Sequence, residues 1–175
     1  LVGKESGGQV SVLGSGFFVD PWTIVTNYHI VKEAFDKHVE YFFAVSQDDK
    51  SNYAVVNLMA DADRKLIFLD VREKGPQPFP LNTDGKIKSG DKVYLVGTPS
   101  NAAGEKTRDP SASPPGVAAS MLEMTVPVPP AQSGQPVFDR AGRVIGMAVD
   151  TSVKSSLASG IIPAKELLSK LEKYL

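Results

Sequence analysis

The sequence predicts an all-β barrel or sandwich that ends in a single helix. Short runs of β-branched and aromatic residues recur along the chain, turn-forming Gly, Pro and Asp separate them, and only the C-terminal stretch has apolar residues at helical spacing. At 175 residues the chain suits one domain, or two small barrels sharing an interface, and is long enough to bury a proper core.

Val10 to Val19 is apolar and punctuated by glycine, Asp20-Pro21-Trp22 reads as a turn, and Thr23 to Thr26 is β-branched. That pattern predicts a hairpin, with Gly14 and Gly16 marking a bulge or a close backbone approach. Ile30 to Phe35 is expected to form a short helical turn after His29. Tyr41 to Val45, Tyr53 to Met59 and Leu66 to Val71 read as three further strands divided by polar turns. Lys74 to Pro80 breaks the pattern and reads as a linker between two halves.

The second half opens with turns at Asp84-Gly85 and Ser89-Gly90-Asp91, then a strand from Lys92 to Val96 with an exit at Gly97-Thr98-Pro99. Residues 100–117 are rich in Ala, Ser, Pro, Gly and charge, and are expected to form a long irregular, mobile loop. Strands are predicted at Ser120 to Val126, Gln135 to Phe138, Val144 to Val149 and Leu157 to Ile162, with Asp139-Arg140-Ala141-Gly142 as a hairpin turn. Pro163 suits the first position of a helix whose apolar stripe is Ala164, Leu167, Leu168, Leu171 and Leu175. No internal repeat of fixed period is present.

Net charge is −1 with acids and bases interspersed, so composition gives no electrostatic reason to expect nucleic acid or an anionic membrane as partner. No apolar run reaches bilayer-spanning length, and no signal-peptide pattern follows Leu1. The opening Leu-Val-Gly-Lys reads as the start of an excised domain. Cysteine is absent, which excludes disulfides and thiolate zinc or redox sites.

Two distant stretches carry chemistry. Thr26-Asn27-Tyr28-His29 closes an apolar strand-like run, and Gln132-Ser133-Gly134-Gln135-Pro136 sets a serine in a tight turn. A serine hydroxyl is a poor nucleophile until a neighbouring base takes its proton, and histidine has a pKa suited to that near neutrality. The chain holds only two histidines. His38, between Lys37 and Glu40, reads as a solvated loop residue, and no ligand spacing supports a His29–His38 metal pair.

Gly14-Ser15-Gly16-Phe17 runs on to Ile24-Val25-Thr26-Asn27-Tyr28-His29-Ile30-Val31. Asp91-Lys92-Val93-Tyr94-Leu95-Val96-Gly97-Thr98-Pro99 follows, then Ser133-Gly134 with Pro136-Val137, Gly142-Arg143-Val144-Ile145-Gly146-Met147, and Gly160-Ile161-Ile162-Pro163 before the last helix. In these motifs and their order the chain resembles, over nearly its whole length, the trypsin-like serine proteases of the chymotrypsin fold, in their HtrA/Deg branch. The 100–117 segment shows no counterpart to the family's usual strand. The resemblance implies two six-stranded-type antiparallel β-barrels, residues 1–80 carrying the histidine and residues 81–175 carrying the serine and the C-terminal helix. It implies His29 as general base, Ser133 as nucleophile, and the backbone N–H groups of Ala131 and Ser133 as oxyanion hole, with no cofactor.

The family's third member is a buried aspartate immediately before an apolar strand, and here Lys65 occupies that slot before Leu66-Ile67-Phe68-Leu69-Asp70-Val71. A lysine beside an imidazole lowers its basicity. Replacing the aspartate of such a triad by asparagine lowers turnover about 10⁴-fold. Asp63 is the substitute candidate, two residues earlier and on the same face of an extended chain; Asp61 is a poorer one, and Asp70 lies at the wrong end of its strand. Ala131 and Gln135 stand where the family has glycines, and Pro127, Pro129 and Pro130 stiffen the approach to the serine. With Pro127 at the floor of the specificity pocket, small or apolar side chains are expected before the cut.

Two functions follow from this pattern. The first is a serine endopeptidase acting on unfolded polypeptide through an acyl-enzyme. The second is a catalytically degenerate pseudoprotease serving as a binding, scaffolding or metal-binding module. Both imply a polypeptide substrate or peptide ligand and, from the resemblance, a periplasmic or other extracytoplasmic site, with homo-oligomerisation through flanking segments. An unrelated β-barrel adaptor would not order all these motifs along its length.

Overall fold

A computed structural model describes residues 1–5, 7–36, 38–46, 50–61, 65–84, 87–88, 91–95, 122–124, 128, 132–149 and 159–174. The chain divides into two units, Leu1–Pro78 and Phe79–Leu175.

The first unit holds β1 (Val2–Glu5), β2 (Val10–Val12), β3 (Phe17–Asp20), β4 (Thr23–Asn27), α1 (Tyr28–Asp36), β5 (Val39–Val45), β6 (Asn52–Asp61) and β7 (Leu66–Val71). Its strands form one seven-stranded sheet in the order β2-β1-β5-β6-β7-β4-β3, every neighbour antiparallel. The predicted hairpin is β3–β4, closed by the Asp20 carboxylate, which accepts the Trp22 N–H at 2.7 Å. All five residues of β4 are buried, because it lies between β3 and β7 and packs on both faces. Gly16 is a position of close approach: a Cβ there would stand 2.9 Å from the Val25 carbonyl oxygen. Ile24, Val31, Ala44, Tyr53, Ile67, Leu69 and Val71 make the core of this unit.

The second unit holds β8 (Tyr94–Leu95), β9 (Leu122–Met124), β10 (Pro136–Phe138), β11 (Val144–Val149), β12 (Ser159–Pro163) and α2 (Ala164–Tyr174). These strands form a five-stranded antiparallel sheet, β8-β10-β11-β12-β9. Val93, Val128, Val137, Ile145, Ala148 and Ile161 pack as its core, and α2 buries Ala164 and Leu167 as its stripe predicts. No helix among the described residues is long and apolar enough to cross a membrane.

The all-β class with a C-terminal helix is present, and in place of six strands in each half the described residues form sheets of seven and five strands. Among the described residues no ladder closes either sheet into a barrel. The extra strand is β1, which pairs between β2 and β5 and so takes its conformation from its neighbours rather than from its own short run. Two boundaries also move. Helix α1 begins at Tyr28 rather than after His29, with buried Asn27 at its N-terminal flank and the Tyr28 N–H donated to the Lys65 carbonyl at 2.9 Å. Pro163 ends β12 instead of opening the helix, since its fixed φ suits a strand end and the helix starts one residue on. The 100–117 loop lies outside the described residues, as do the turn glycines Gly85 and Gly90.

Candidate active site

The histidine setting is built by β4 and its neighbours. Thr26 donates its hydroxyl to the Ser15 carbonyl at 2.6 Å, and Tyr28 donates its backbone N–H to Lys65. The two residues flanking Asn27 are thus tied to opposite sides, which fixes the path of the chain into α1. His29 follows on the first turn of that helix, exposed to solvent. His38 caps the other end of α1, with φ 55° and its N–H donated to the Phe35 carbonyl at 3.0 Å, and its side chain is solvated as expected.

Of the carboxylates considered for His29, Asp63 lies outside the described residues. Asp70 pairs with Thr23, four residues before Asn27, so it stands roughly 13 Å along the strand from the histidine end. There it accepts hydrogen bonds from the Thr23 hydroxyl at 3.3 Å and the Asn57 amide at 3.0 Å. Asp61 ends β6 with only 7% of its surface exposed, opposite Leu66, which is itself opposite Asn27. Lys65 precedes β7 with an exposed side chain and φ 59°, and its carbonyl is the acceptor for Tyr28. Its backbone therefore abuts the residue before His29, while its side chain is exposed.

The serine setting is a turn leading into β10. Gly134 has φ 93°, a left-handed conformation that side chains with a Cβ rarely adopt, so glycine after Ser133 answers a backbone requirement. The Gly134 N–H goes to the Ala148 carbonyl, the Ala148 N–H to the Gln135 carbonyl, each at 2.9 Å, and the Gln135 N–H to the Gln132 carbonyl at 3.2 Å. These bonds lock the turn onto β11. Ser133 is fully buried, and Gln135 is accommodated with 4% exposure at a position where glycine was the family residue. Ala131 lies outside the described residues, as does Pro127.

Two features escaped the reading of the sequence. One is the burial of Asn27, named in the sequence only as part of the histidine motif, at the mouth of α1, where its place before a helical run was a usable signal. The other is a polar cluster in the second unit. Asp139 accepts the backbone N–H groups of Ala141 and Arg143, the Asn82 amide and the Arg143 guanidinium, all within 2.8–2.9 Å. Asp84 stands 3.5 Å from Arg143 on its other side. Among the described residues no group of three or more His, Cys, Asp and Glu is set to hold a metal ion.

The family model of the trypsin-like peptidase domain matches residues 14–147. The chain is similar to the chloroplastic protease Do-like 1 of Arabidopsis thaliana, 27% identical over 158 residues, which is 85% of this chain and 35% of that protein. It is similar also to a probable periplasmic DegP-like serine endoprotease of Bartonella henselae, 30% identical over 152 residues, 81% of this chain and 28% of that protein. The chain thus spans about a third of the length of these curated relatives. Among solved structures, the serine endoprotease from Yersinia pestis superposes with a TM-score of 0.74 at 22% identity, covering 98% of this chain and 60% of that one. Motif order, sheet topology and these likenesses agree: the chain belongs to the trypsin-like peptidase domain family and has the HtrA-type serine protease fold.

Proposed function

We propose that this chain is a DegP-like serine endopeptidase that hydrolyses peptide bonds of unfolded polypeptides through an acyl-enzyme. In this reading His29 takes the proton of the Ser133 hydroxyl as its oxygen attacks the scissile carbonyl, and the same imidazole then protonates the leaving amine. The N–H groups of Ala131 and Ser133 stabilise the oxyanion, and Asp63 supplies the carboxylate that orients His29. Water, activated by His29, then hydrolyses the acyl-enzyme. The observation that carries the reading is the Ser133–Gly134 turn, locked to β11 by paired backbone bonds in a chain of a peptidase family. A nucleophile needs such a fixed setting, because small displacements cost large factors in rate.

One observation favours the second reading, a pseudoprotease that binds polypeptide without cutting it. Ser133 is fully buried, and the resemblance to the family puts Lys65 where an aspartate is expected. A fluorophosphonate probe separates the two. An active site gives labelling of Ser133 that disappears in Ser133→Ala and in His29→Ala. Absence of labelling from mildly acidic to alkaline pH overturns the hydrolase and leaves the binding module.

The relatives named as periplasmic support an extracytoplasmic site of action.

A further inference from the structure

Ser133 precedes β10 at one end of the β10–β11 hairpin, and the turn 139–142 closes the other end. Beside that turn, within the second unit, lies a cleft of about 460 Å³. Small-ligand pockets run from about 300 to 1,000 Å³. The apolar part of its lining is Ile87, Val93 and Ile145, of which Val93 and Ile145 are core residues only 3% and 1% exposed. Three cations line it as well, Lys92, Arg140 and Arg143, with two carboxylates, Asp91 and Asp139. Both carboxylates are engaged locally. Asp139 takes the four bonds already described, and Asp91 accepts the Lys88 N–H at 2.7 Å. Arg143 is held by Asp139 through Nε at 2.9 Å and faces Asp84 through Nη1 at 3.5 Å. Among the described residues its Nη2 has no partner, and Lys92 and Arg140 make neither a hydrogen bond nor an ion pair. The lining thus carries one positive charge in excess. Asp84 lies outside the lining with its side chain 60% exposed, where water screens it.

We propose that this cleft binds a monocarboxylate on a short aliphatic body. Lys92, Arg140 and the outer edge of Arg143 meet the charge, and the aliphatic part lies against Ile87, Val93 and Ile145. A guanidinium already fixed in place by a carboxylate on one edge is pre-organised to donate to another, and such charge-assisted bonds are the strong ones. The apolar part of the ligand gains by leaving water, about 0.8 kcal/mol for each CH₂ group buried. One negative charge cancels the excess of the lining. A phosphate, at about −1.5 to −2, overfills it and brings nothing apolar to cover the valine and isoleucines. A free short-chain acid offers the chemistry that fits, and so does an acidic side chain flanked by aliphatic residues in a polypeptide. Because Lys92 and Val93 precede the hairpin in the chain and Arg140 and Arg143 belong to it, an occupant ties the two together and stabilises the folded second unit.

Titration of isocaproate into the protein, read from amide chemical shifts, tests this. The expected result is saturable movement of the Val93, Ala141 and Arg143 signals with a millimolar dissociation constant. Binding should weaken by about tenfold or more in the double variant Lys92→Gln, Arg140→Gln, and equally for isocaproamide, which lacks the charge. Inorganic phosphate should bind more weakly than isocaproate. If the blocked tripeptide N-acetyl-Leu-Glu-Leu-amide binds and its Gln counterpart does not, the source is a polypeptide; binding of isocaproate alone identifies a free acid. Lys92 and Arg140 are exposed, and circular dichroism checks that the variant keeps its fold. Ser133→Ala should bind isocaproate as the parent does, so the result does not depend on peptide hydrolysis. No saturable shift up to about 20 mM isocaproate, equal binding of the amide, tighter binding of phosphate, or an affinity unchanged in the double variant overturns the proposal.

Discussion

Lys65 sits at φ 59°, a conformation that costs most side chains about 1 kcal/mol or more and that aspartate tolerates better. The substitution Lys65→Asp is therefore compatible with the backbone, and it adds a carboxylate next to the turn that carries His29. A carboxylate accepting from an imidazole N–H fixes the tautomer and stabilises the imidazolium that forms during catalysis. The expected outcome is unchanged or slightly higher stability, by up to ~1 kcal/mol on thermal unfolding. With Asp63 proposed as the carboxylate that orients His29, labelling of Ser133 by the fluorophosphonate should be little changed in Lys65→Asp. A large acceleration, with a ceiling of about 10⁴-fold, would overturn the role of Asp63 and show that His29 lacks a carboxylate in the parent. Gln135 teaches the complementary lesson at this scale. A residue departing from the family pattern is buried here with its backbone bonded to Ala148, so departure from a pattern is not by itself a defect.

The β10–β11 hairpin turn shows how an element can carry pH dependence. Burial pushes the Asp139 carboxyl up, but the Arg143 backbone N–H, the Asn82 amide, the Arg143 guanidinium and the Ala141 N–H outweigh it and hold it below the usual aspartate range. A carboxyl lowered in the folded state stabilises the fold above its unfolded value of about 4, and that contribution is lost as pH falls through the folded value. Asp139→Ala should cost about 1–3 kcal/mol at pH 7, by leaving several donors without their acceptor. The gap between variant and parent should narrow as pH falls from 7 to below the unfolded value of about 4 and through the lowered folded value, which urea unfolding across that range would measure. Elements with a strong one-dimensional signature were legible in the sequence. Leu66–Leu69 and Val144–Val149 are continuous apolar runs, and both lie in strands almost wholly buried on two faces. Strand β1 was not, because Val2-Gly3-Lys4-Glu5 gains its conformation by pairing with residues tens of positions away. The settings of His29 and Ser133 were legible because strand end and tight turn are local patterns. The carboxylate was not, because Lys65 falls where the family pattern expects an aspartate and the substitute candidate Asp63 lies outside the described residues.

Each unit closes a core from its own residues, Ile67 and Leu69 among those of the first, Ile145 and Val137 among those of the second. Linked units with separate cores need not unfold in one step. The single tryptophan makes this measurable, since Trp22 lies in the β3–β4 turn and its carbonyl accepts the Val71 N–H at 2.9 Å, so its fluorescence follows the first unit. Ile145→Ala removes a side chain only 1% exposed and should lower the stability of the second unit by about 2–5 kcal/mol. The urea midpoint from far-ultraviolet circular dichroism should then split, with an early step from the second sheet, while the Trp22 midpoint stays near that of the parent. Leu66→Ala, at a fully buried position of the first unit, should do the reverse and move the Trp22 transition alone. The proposed mechanism takes His29 from the first unit and Ser133 from the second, so it requires both units to be folded. Labelling of Ser133 in increasing urea should therefore fall with the earlier transition in each variant. Coincident shifts of both signals in both variants would show instead that the two sheets stand or fall together.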